Sequence, residues 1–316
     1  MDVFKFSFEN DVSSLQMHID FIGIKDPRGK SLLHYAVLGS SMDVIDYLLN
    51  QEIDLNQKDH LGETPLFDCA RKAKLNIAKK LLAKYARVDI KNNREETLLH
   101  LAAHKGNLDM VKLLVEYHAD LNALNFEDKL PIHYAILAGH MEVVLYLMEQ
   151  SKISYFYLDS NQDSFLHYAA RTTNVNMVEH FLEQKLDPNL LNDHYDTPLF
   201  NAVRTGTTAV VQLLLKHDAY IEVFNRRFET PINLAKYNDD TVILNLLHEW
   251  QQSIDYNNLL KRQMLTLAVL NRDHTKLRLL VENGYLLKKD RLKQNAFDYA
   301  QYYKLSACVN VLRQLI

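Results

Sequence analysis

The stretch Thr97-Leu98-Leu99-His100-Leu101-Ala102 returns along the 316-residue chain at nearly fixed spacing, and that return decides the fold. Clear copies are Ser31–Ala36 (SLLHYA), Thr64–Cys69 (TPLFDC), Leu130–Ala135 (LPIHYA), Ser164–Ala169 (SFLHYA), Thr197–Ala202 (TPLFNA) and Thr230–Ala235 (TPINLA), with weaker ones opening at Gln263 and Asn295. The intervals are 33, 33, 33, 34, 33, 33, 33 and 32 residues. Unrelated helices would not hold such a register, so the chain reads as one unit copied many times.

Each column has a physical reading. The sixth residue of the segment is Ala in eight copies and Cys69 in the other, a place where only a small side chain lets two backbones approach. Fourteen and seventeen residues after each opening come apolar side chains such as Val111 and Leu114, three apart on one face of a second helix. Thr or Ser opens most copies and can cap a helix, while Pro65, Pro131, Pro198 and Pro231 occupy the first turn, where no backbone donor is needed. Five residues before each opening stands Asp26, Asp59, Asn92, Asn125, Asp159, Asn192, Asn225, Asn258 or Asp290, suited to bond the backbone of a turn. Each unit therefore predicts a turn, a helix, a short turn and a second helix. No unit buries its apolar face alone, and stacking completes the core.

The TPLHxA-like segment, the 33-residue period and the Asp-x-x-Gly-x-Thr approach resemble ankyrin repeats, from about Gly23 to Ile316. The resemblance implies an all-α solenoid of stacked helix-turn-helix units with projecting loops and a concave groove. The predicted organisation is a capping unit at 1–30, repeats at 31–63, 64–96, 97–129, 130–163, 164–196, 197–229, 230–262 and 263–294, and a C-terminal cap at 295–316. The family's glycine two residues before the opening survives only at Gly29 and Gly62; Glu95, Asp128, Gln162, Tyr195, Phe228, Lys261 and Lys293 replace it. Where a positive φ is required, each replacement costs roughly 1 kcal/mol, so the array is expected to be less stable than an ideal one. An extra residue falls within 151–160, and the pattern is lost over 248–263; loop variation is the expected cause, a bend the alternative.

Composition narrows the function. Hydrophobic residues make up 47% and charged residues 24% of the chain, with 17 Tyr and 13 Phe, which marks a folded protein. The net charge of -4 disfavours nucleic acid and anionic lipid as global partners. No apolar run is long enough to enter and cross a bilayer, and no secretory signal is evident at residues 1–9. The two cysteines, Cys69 and Cys308, fit a reducing, cytoplasmic setting, with delivery into another cell left open.

Fourteen His invite a metal or catalytic reading. His34, His100, His133 and His167 share the fourth position of the segment, where the resemblance implies bonds to neighbouring turns. His100 and His104 have the i, i+4 spacing of zinc-binding helices, but no Glu follows His100 and no third ligand is positioned. No phosphate loop, nucleophile elbow or kinase motif occurs. The expectation is no enzyme, no metal and no cofactor.

What remains is a protein partner. Seven and eight residues after the openings stand Arg71 and Lys72, His104 and Lys105, Arg171, Arg204, and Tyr237. Cations repeated roughly every 10 Å along a groove would favour an acidic or extended segment. Loop tips add Phe126, Arg226 and Arg227, with Leu259 and Leu260 at the tip predicted for the weak repeat. On this reading the chain is a non-catalytic adaptor; the alternative is an inhibitor, immunity factor or delivered effector that blocks a partner enzyme. Replacing Arg71, Arg171 and Arg204 by Glu is expected to weaken capture and leave thermal unfolding nearly unchanged. The oligomeric state is open.

Overall fold

The computed structural model describes residues 2–18, 20 and 22–316. Among these, twenty α-helices form and no extended strand, only isolated bridges such as Lys91 with Thr97. The chain divides into two compact units, Met1–Ile153 and Ser154–Ile316.

In the first unit the helices pair as α1 (Val3–Phe8) with α2 (Val12–Gln16), α3 (Leu32–Gly39) with α4 (Met42–Leu49), α5 (Pro65–Arg71) with α6 (Leu75–Ala83), α7 (Leu98–Lys105) with α8 (Leu108–Glu116), and α9 (Pro131–Leu137) with α10 (Met141–Ser151). First helices pack in order, α1 on α3, α3 on α5, α5 on α7 and α7 on α9, and the second helices form a parallel layer. The N-terminal pair is tied down by polar bonds as well as packing. Ser7 Oγ donates to the Leu32 carbonyl at 2.8 Å, and Asn10 Oδ1 accepts from the amides of Asp43 and Val44 at 3.0 and 3.1 Å. Of the capping unit expected at 1–30, residues 1, 19 and 21 lie outside the described residues.

Sequence columns become layers of the core. The sixth-position residues Ala36, Cys69, Ala102, Ala135, Ala169, Ala202, Ala235, Ala268 and Ala300 are all buried. Burial also pushes the Cys69 thiol far above its ordinary value, so it stays protonated at neutral pH and behaves as a small apolar group. The second-helix column from Leu48 to Leu312 is buried throughout, each Leu contributing about 1.5–3 kcal/mol by leaving water.

Eight of the nine Asp/Asn column residues hold turns of one design. In each, Oδ1 accepts from the amides two and four residues on; for Asn92 these are Arg94 and Glu96, at 2.9 and 3.0 Å. The residue three after the Asp/Asn then takes a positive φ, from 54° at Asp128 to 78° at Gly29, including Glu95, Gln162, Tyr195, Phe228 and Lys293. Four tyrosines, one position after the histidine column, bond back to the same turns, as Tyr35 does by donating to Asp26 at 2.8 Å.

The second unit starts in the same way, with α11 (Phe165–Ala169) and α12 (Val175–Glu183), α13 (Pro198–Thr205) and α14 (Thr208–Lys216), then α15 (Pro231–Tyr237) and α16 (Thr241–Gln252). The eighth turn in chain order, at Asn258, does not form. Residues expected as turn and tip, Asn258, Leu259 and Leu260, lie inside α17 (Ile254–Leu270), which begins directly after Ser253 and kinks at Gln263. Leu259 is 3% exposed rather than projecting. The reason is local: Ile254–Arg262 has no Gly, no Pro and two adjacent leucines, so helix with a buried face outcompetes a polar turn.

That helix redirects the chain. The helices α17, α18 (His274–Glu282), α19 (Ala296–Tyr302) and α20 (Ser306–Leu312) stack on one another, and the group lies against earlier loops of the same unit. Asn271 Nδ2 donates to the Glu222 carbonyl at 2.8 Å, and its Oδ1 accepts from the Phe224 amide at 2.9 Å. Arg291 pairs with Asp218 at 2.5 Å and donates to the Lys216 carbonyl at 3.1 Å. Tyr303 Oη accepts from the Leu191 amide, 112 residues away, at 2.8 Å. Stacked helices advance about 8–10 Å each, so in a straight array residues more than three units apart would stand about 30 Å apart. Over 248–263 the structure therefore holds the bend rather than the loop variation expected from sequence.

Candidate protein-interaction surface

The histidine column is structural. In His34, His100 and His167, Nδ1 accepts from the amide that precedes the helix, at 3.0, 3.1 and 3.1 Å from Ser31, Thr97 and Ser164. The proton on Nε2 then donates to a carbonyl 29 residues ahead, Glu63, Lys129 or Asp196, at 3.2, 2.9 and 3.1 Å. These partners define the neutral imidazole tautomer. Burial holds all three below the usual histidine value. His100 thus has both ring nitrogens committed, which removes the donor pair that its spacing from His104 suggested.

Successive tips are hydrogen-bonded to each other, which fixes the exposed side chains relative to the stack within each unit. The amides of His60, Asn93 and Phe126 donate to the carbonyls of Arg28, Leu61 and Arg94 at 2.9, 2.9 and 3.2 Å, and Arg226 donates to His194 at 2.9 Å. Phe126 is 72% and Tyr237 83% exposed. Lys72, His104, Lys105, Arg226 and Arg227 are exposed as expected.

The three groove arginines stand at their expected places but are not free charges. Arg71 pairs with Glu63 and, at 2.8 Å, with Asp68; Arg171 pairs with Asp163 at 2.5 Å; Arg204 pairs with Asp196 at 2.8 Å. Glu63, Asp163 and Asp196 each precede a repeat opening by one residue and are buried, as is Asp68 within its helix. A positive row is therefore largely neutralised where it stands, and charge reversal there would strand a buried carboxylate. The expectation of unchanged thermal unfolding is corrected on that ground. The signal was present in the sequence as an acid eight residues before each arginine.

Arg226 and Arg227 make no ion pair among the described residues, in contrast to the groove arginines. Beside Arg226 a cleft of about 900 Å³ opens, lined by Tyr195, Phe224, Phe228, Arg272 and Lys276 among others. Sequence reasoning missed Arg272 and Lys276, because only the bend after α16 brings them to this loop. A second cleft, about 570 Å³, lies between the 185–190 loop and Tyr299, Tyr302 and Tyr303.

A family model for ankyrin repeats, in three copies, matches residues 6–92, 86–156 and 155–225. The chain belongs to the ankyrin-repeat family, and its fold is an all-α repeat solenoid. Such repeats are generally protein–protein interaction modules and typically non-catalytic. No curated protein matches the chain. No helix among the described residues is long and apolar enough to cross a membrane.

Proposed function

We propose that the chain is a non-catalytic module that holds a partner protein against the loop tips and first-helix ends. In the first unit the contact residues are Arg71, Lys72, His104, Lys105 and Phe126; in the second they are Arg171, Arg204, Arg226, Arg227 and Tyr237. The observation that carries this reading is the contrast between a backbone whose turns are bonded to one another and the large side chains left in water on them, Phe126 and Tyr237 foremost. A pre-ordered scaffold loses little entropy on binding, and exposed aromatics and arginines are the side chains that contribute most when a partner covers them. The free, buried state of Cys69 and Cys308 fits a reducing compartment such as the cytoplasm.

The test is affinity capture followed by mass spectrometry, with Phe126→Ala and Tyr237→Ala beside the wild type. The reading expects a stoichiometric partner whose retention falls at least tenfold in the double variant. Retention unchanged by both substitutions sinks the assignment of these residues. A captured enzyme that loses activity on binding would mark the inhibitor form of the same reading.

A further inference from the structure

One half-buried arginine has no acid paired with it. Among the described residues, three arginines are half-buried: Arg71, Arg171 and Arg272. The first two face carboxylates, whereas Arg272 makes no ion pair. Its Nη1 donates to the Leu270 carbonyl at 3.0 Å, and its guanidinium lies 3.3 Å from the centre of the Tyr195 ring. Arg226 lies 4.7 Å from the centre of the same ring. Two cations thus share one phenol, and burial together with the Arg226 charge holds Arg272 below the ordinary arginine value. The Tyr195 ring and its hydroxyl offset part of that cost, but no carboxylate does.

The surroundings are cationic and aromatic. The cleft contains three cations, Arg226, Arg272 and Lys276, against one carboxylate, Asp273, which is committed to capping α18 through the Lys276 amide at 2.8 Å. Its wall carries Phe224 and Phe228, 43% and 83% exposed. At the positive-φ position of the eight turns, bulky aromatics occur only at Tyr195 and Phe228, with φ of 61° and 59°. Both line this cleft. A bulky side chain in that region is a local cost the turn itself does not need, since glycine serves at Gly29 and Gly62.

We propose that the cleft formed by Tyr195, Arg226, Phe228, Arg272 and Lys276 is an anchor for an acidic peptide segment, taking a Glu or Asp carboxylate on the guanidinium donors that line it and a neighbouring apolar side chain against Phe224 and Phe228. The guanidiniums supply the paired donors that a carboxylate accepts, and the adjacent aromatic wall selects an amphipathic ligand over a simple anion. Nucleic acid could also stack on such a wall, but the chain's net charge of -4 opposes a polyanion. This anchor rests on the reading of the chain as a protein-binding module and specifies one part of its contact.

The test uses the full chain and three fluorescein-labelled probes: a ten-residue peptide alternating Glu and Phe, its Lys and Phe counterpart, and a ten-nucleotide oligothymidine. Fluorescence polarisation should show saturable binding of the acidic peptide, weakened at least tenfold by Arg272→Met and threefold or more by Arg226→Gln. The Lys276→Gln variant, at an exposed position, keeps the test valid should Arg272→Met unfold; it should weaken binding about threefold and leave the thermal melt unchanged. No saturable binding of the acidic peptide, equal binding of the Lys peptide, stronger binding of the oligonucleotide, or insensitivity to Arg226→Gln and Lys276→Gln would overturn the anchor. The failures are separable: a captured partner that is lost with Phe126→Ala and Tyr237→Ala but kept with the Arg226 and Lys276 variants leaves the module reading standing and removes the anchor alone.

Discussion

Tyr299 Oη lies 3.0 Å from Asp187 Oδ2, a contact that spans 112 residues and fastens the last helix pair to a loop of the regular array. The same hydroxyl lies 2.7 Å from Asp290 Oδ2. One hydroxyl proton serves one carboxylate, so the three groups are best satisfied when Asp187 carries a proton of its own. Burial, with the Asp290 charge adding to it, pushes Asp187 up to about 6, against the bonds from Asn189 and Tyr299 that favour its charged form.

The sign follows from linkage. The folded value is above the unfolded one, near 4, so the stabilising contribution is present in full below about pH 4 and is lost as pH rises through about 6. Because Asp187 keeps some contact with water, the effect is on the order of 1–2 kcal/mol. Hydrogen exchange in residues 187–191 and α19, corrected for the intrinsic pH dependence, should be slower at pH 5 than at pH 7.5. Asp187→Asn should erase that difference and Tyr299→Phe should speed exchange at both pH values; an Asn variant with the wild-type pH profile would contradict the assignment of the effect to Asp187.

The buried histidines titrate in the opposite sense. Their folded values are depressed below 6.5, so the unfolded chain takes up more protons and global stability falls as pH drops below about 6.5. Urea unfolding at pH 7.5 and pH 5 should show the loss. His100→Gln should cost about 1–3 kcal/mol at pH 7.5 and reduce the acid slope, since the bond to Thr97 at the start of its own helix and the bond to Lys129 in the following turn both go with the ring. A midpoint that rises toward acid would contradict the neutral-tautomer assignment.

Charge reversal in the groove should be costly for stability. The Asp163 side chain is 4% exposed, and Arg171 is its ion-pair partner. Arg171→Glu should lower stability by about 1–3 kcal/mol, whereas Lys72→Glu on an exposed site should stay within about 0.5 kcal/mol. Thermal melts of both variants decide it: equal melting temperatures would restore the picture of a freely solvated basic row.

The positive-φ turns offer a stabilising change. Gln162 is exposed and has φ of 61°. Gln162→Gly should relieve up to about 1 kcal/mol of backbone strain, partly offset by the greater freedom of glycine in the unfolded chain. The urea midpoint should rise or hold; a clear fall would show that the side chain, not the backbone, dominates there.

Much of the fold was legible because it is written in spacing. The alanine column, the capped openings and the Asp/Asn turns repeat every 33 residues, and each column has one physical demand that few side chains meet. Even the cost of lost glycines could be placed, at Glu95 and Tyr195 for example, and those residues take the expected positive φ. Asn258 shows where the logic fails. An Asn fits a turn or a helix surface, and what settled its fate was Leu259 seeking burial in α17. The contacts of Asn271, Arg291 and Tyr303 with loops up to 112 residues earlier follow no period, so nothing in the columns announces them. The same holds for the anchor: Arg226 was visible as a tip, but Arg272 joins it only through the bend. In the groove, the arginines were found and their acids overlooked, although both were present in every unit concerned.

The bend places Arg272 beside Tyr195, and a distance measurement tests it directly. Lys185 and Lys293 are exposed and line the same 570 Å³ cleft. With Cys69 and Cys308 replaced by Ala, spin labels at Lys185→Cys and Lys293→Cys should give a dipolar distance below about 20 Å, while a straight array would separate units so far apart by about 30 Å or more. A distribution centred beyond 30 Å would contradict the folded-back arrangement and, with it, the site built around Arg272.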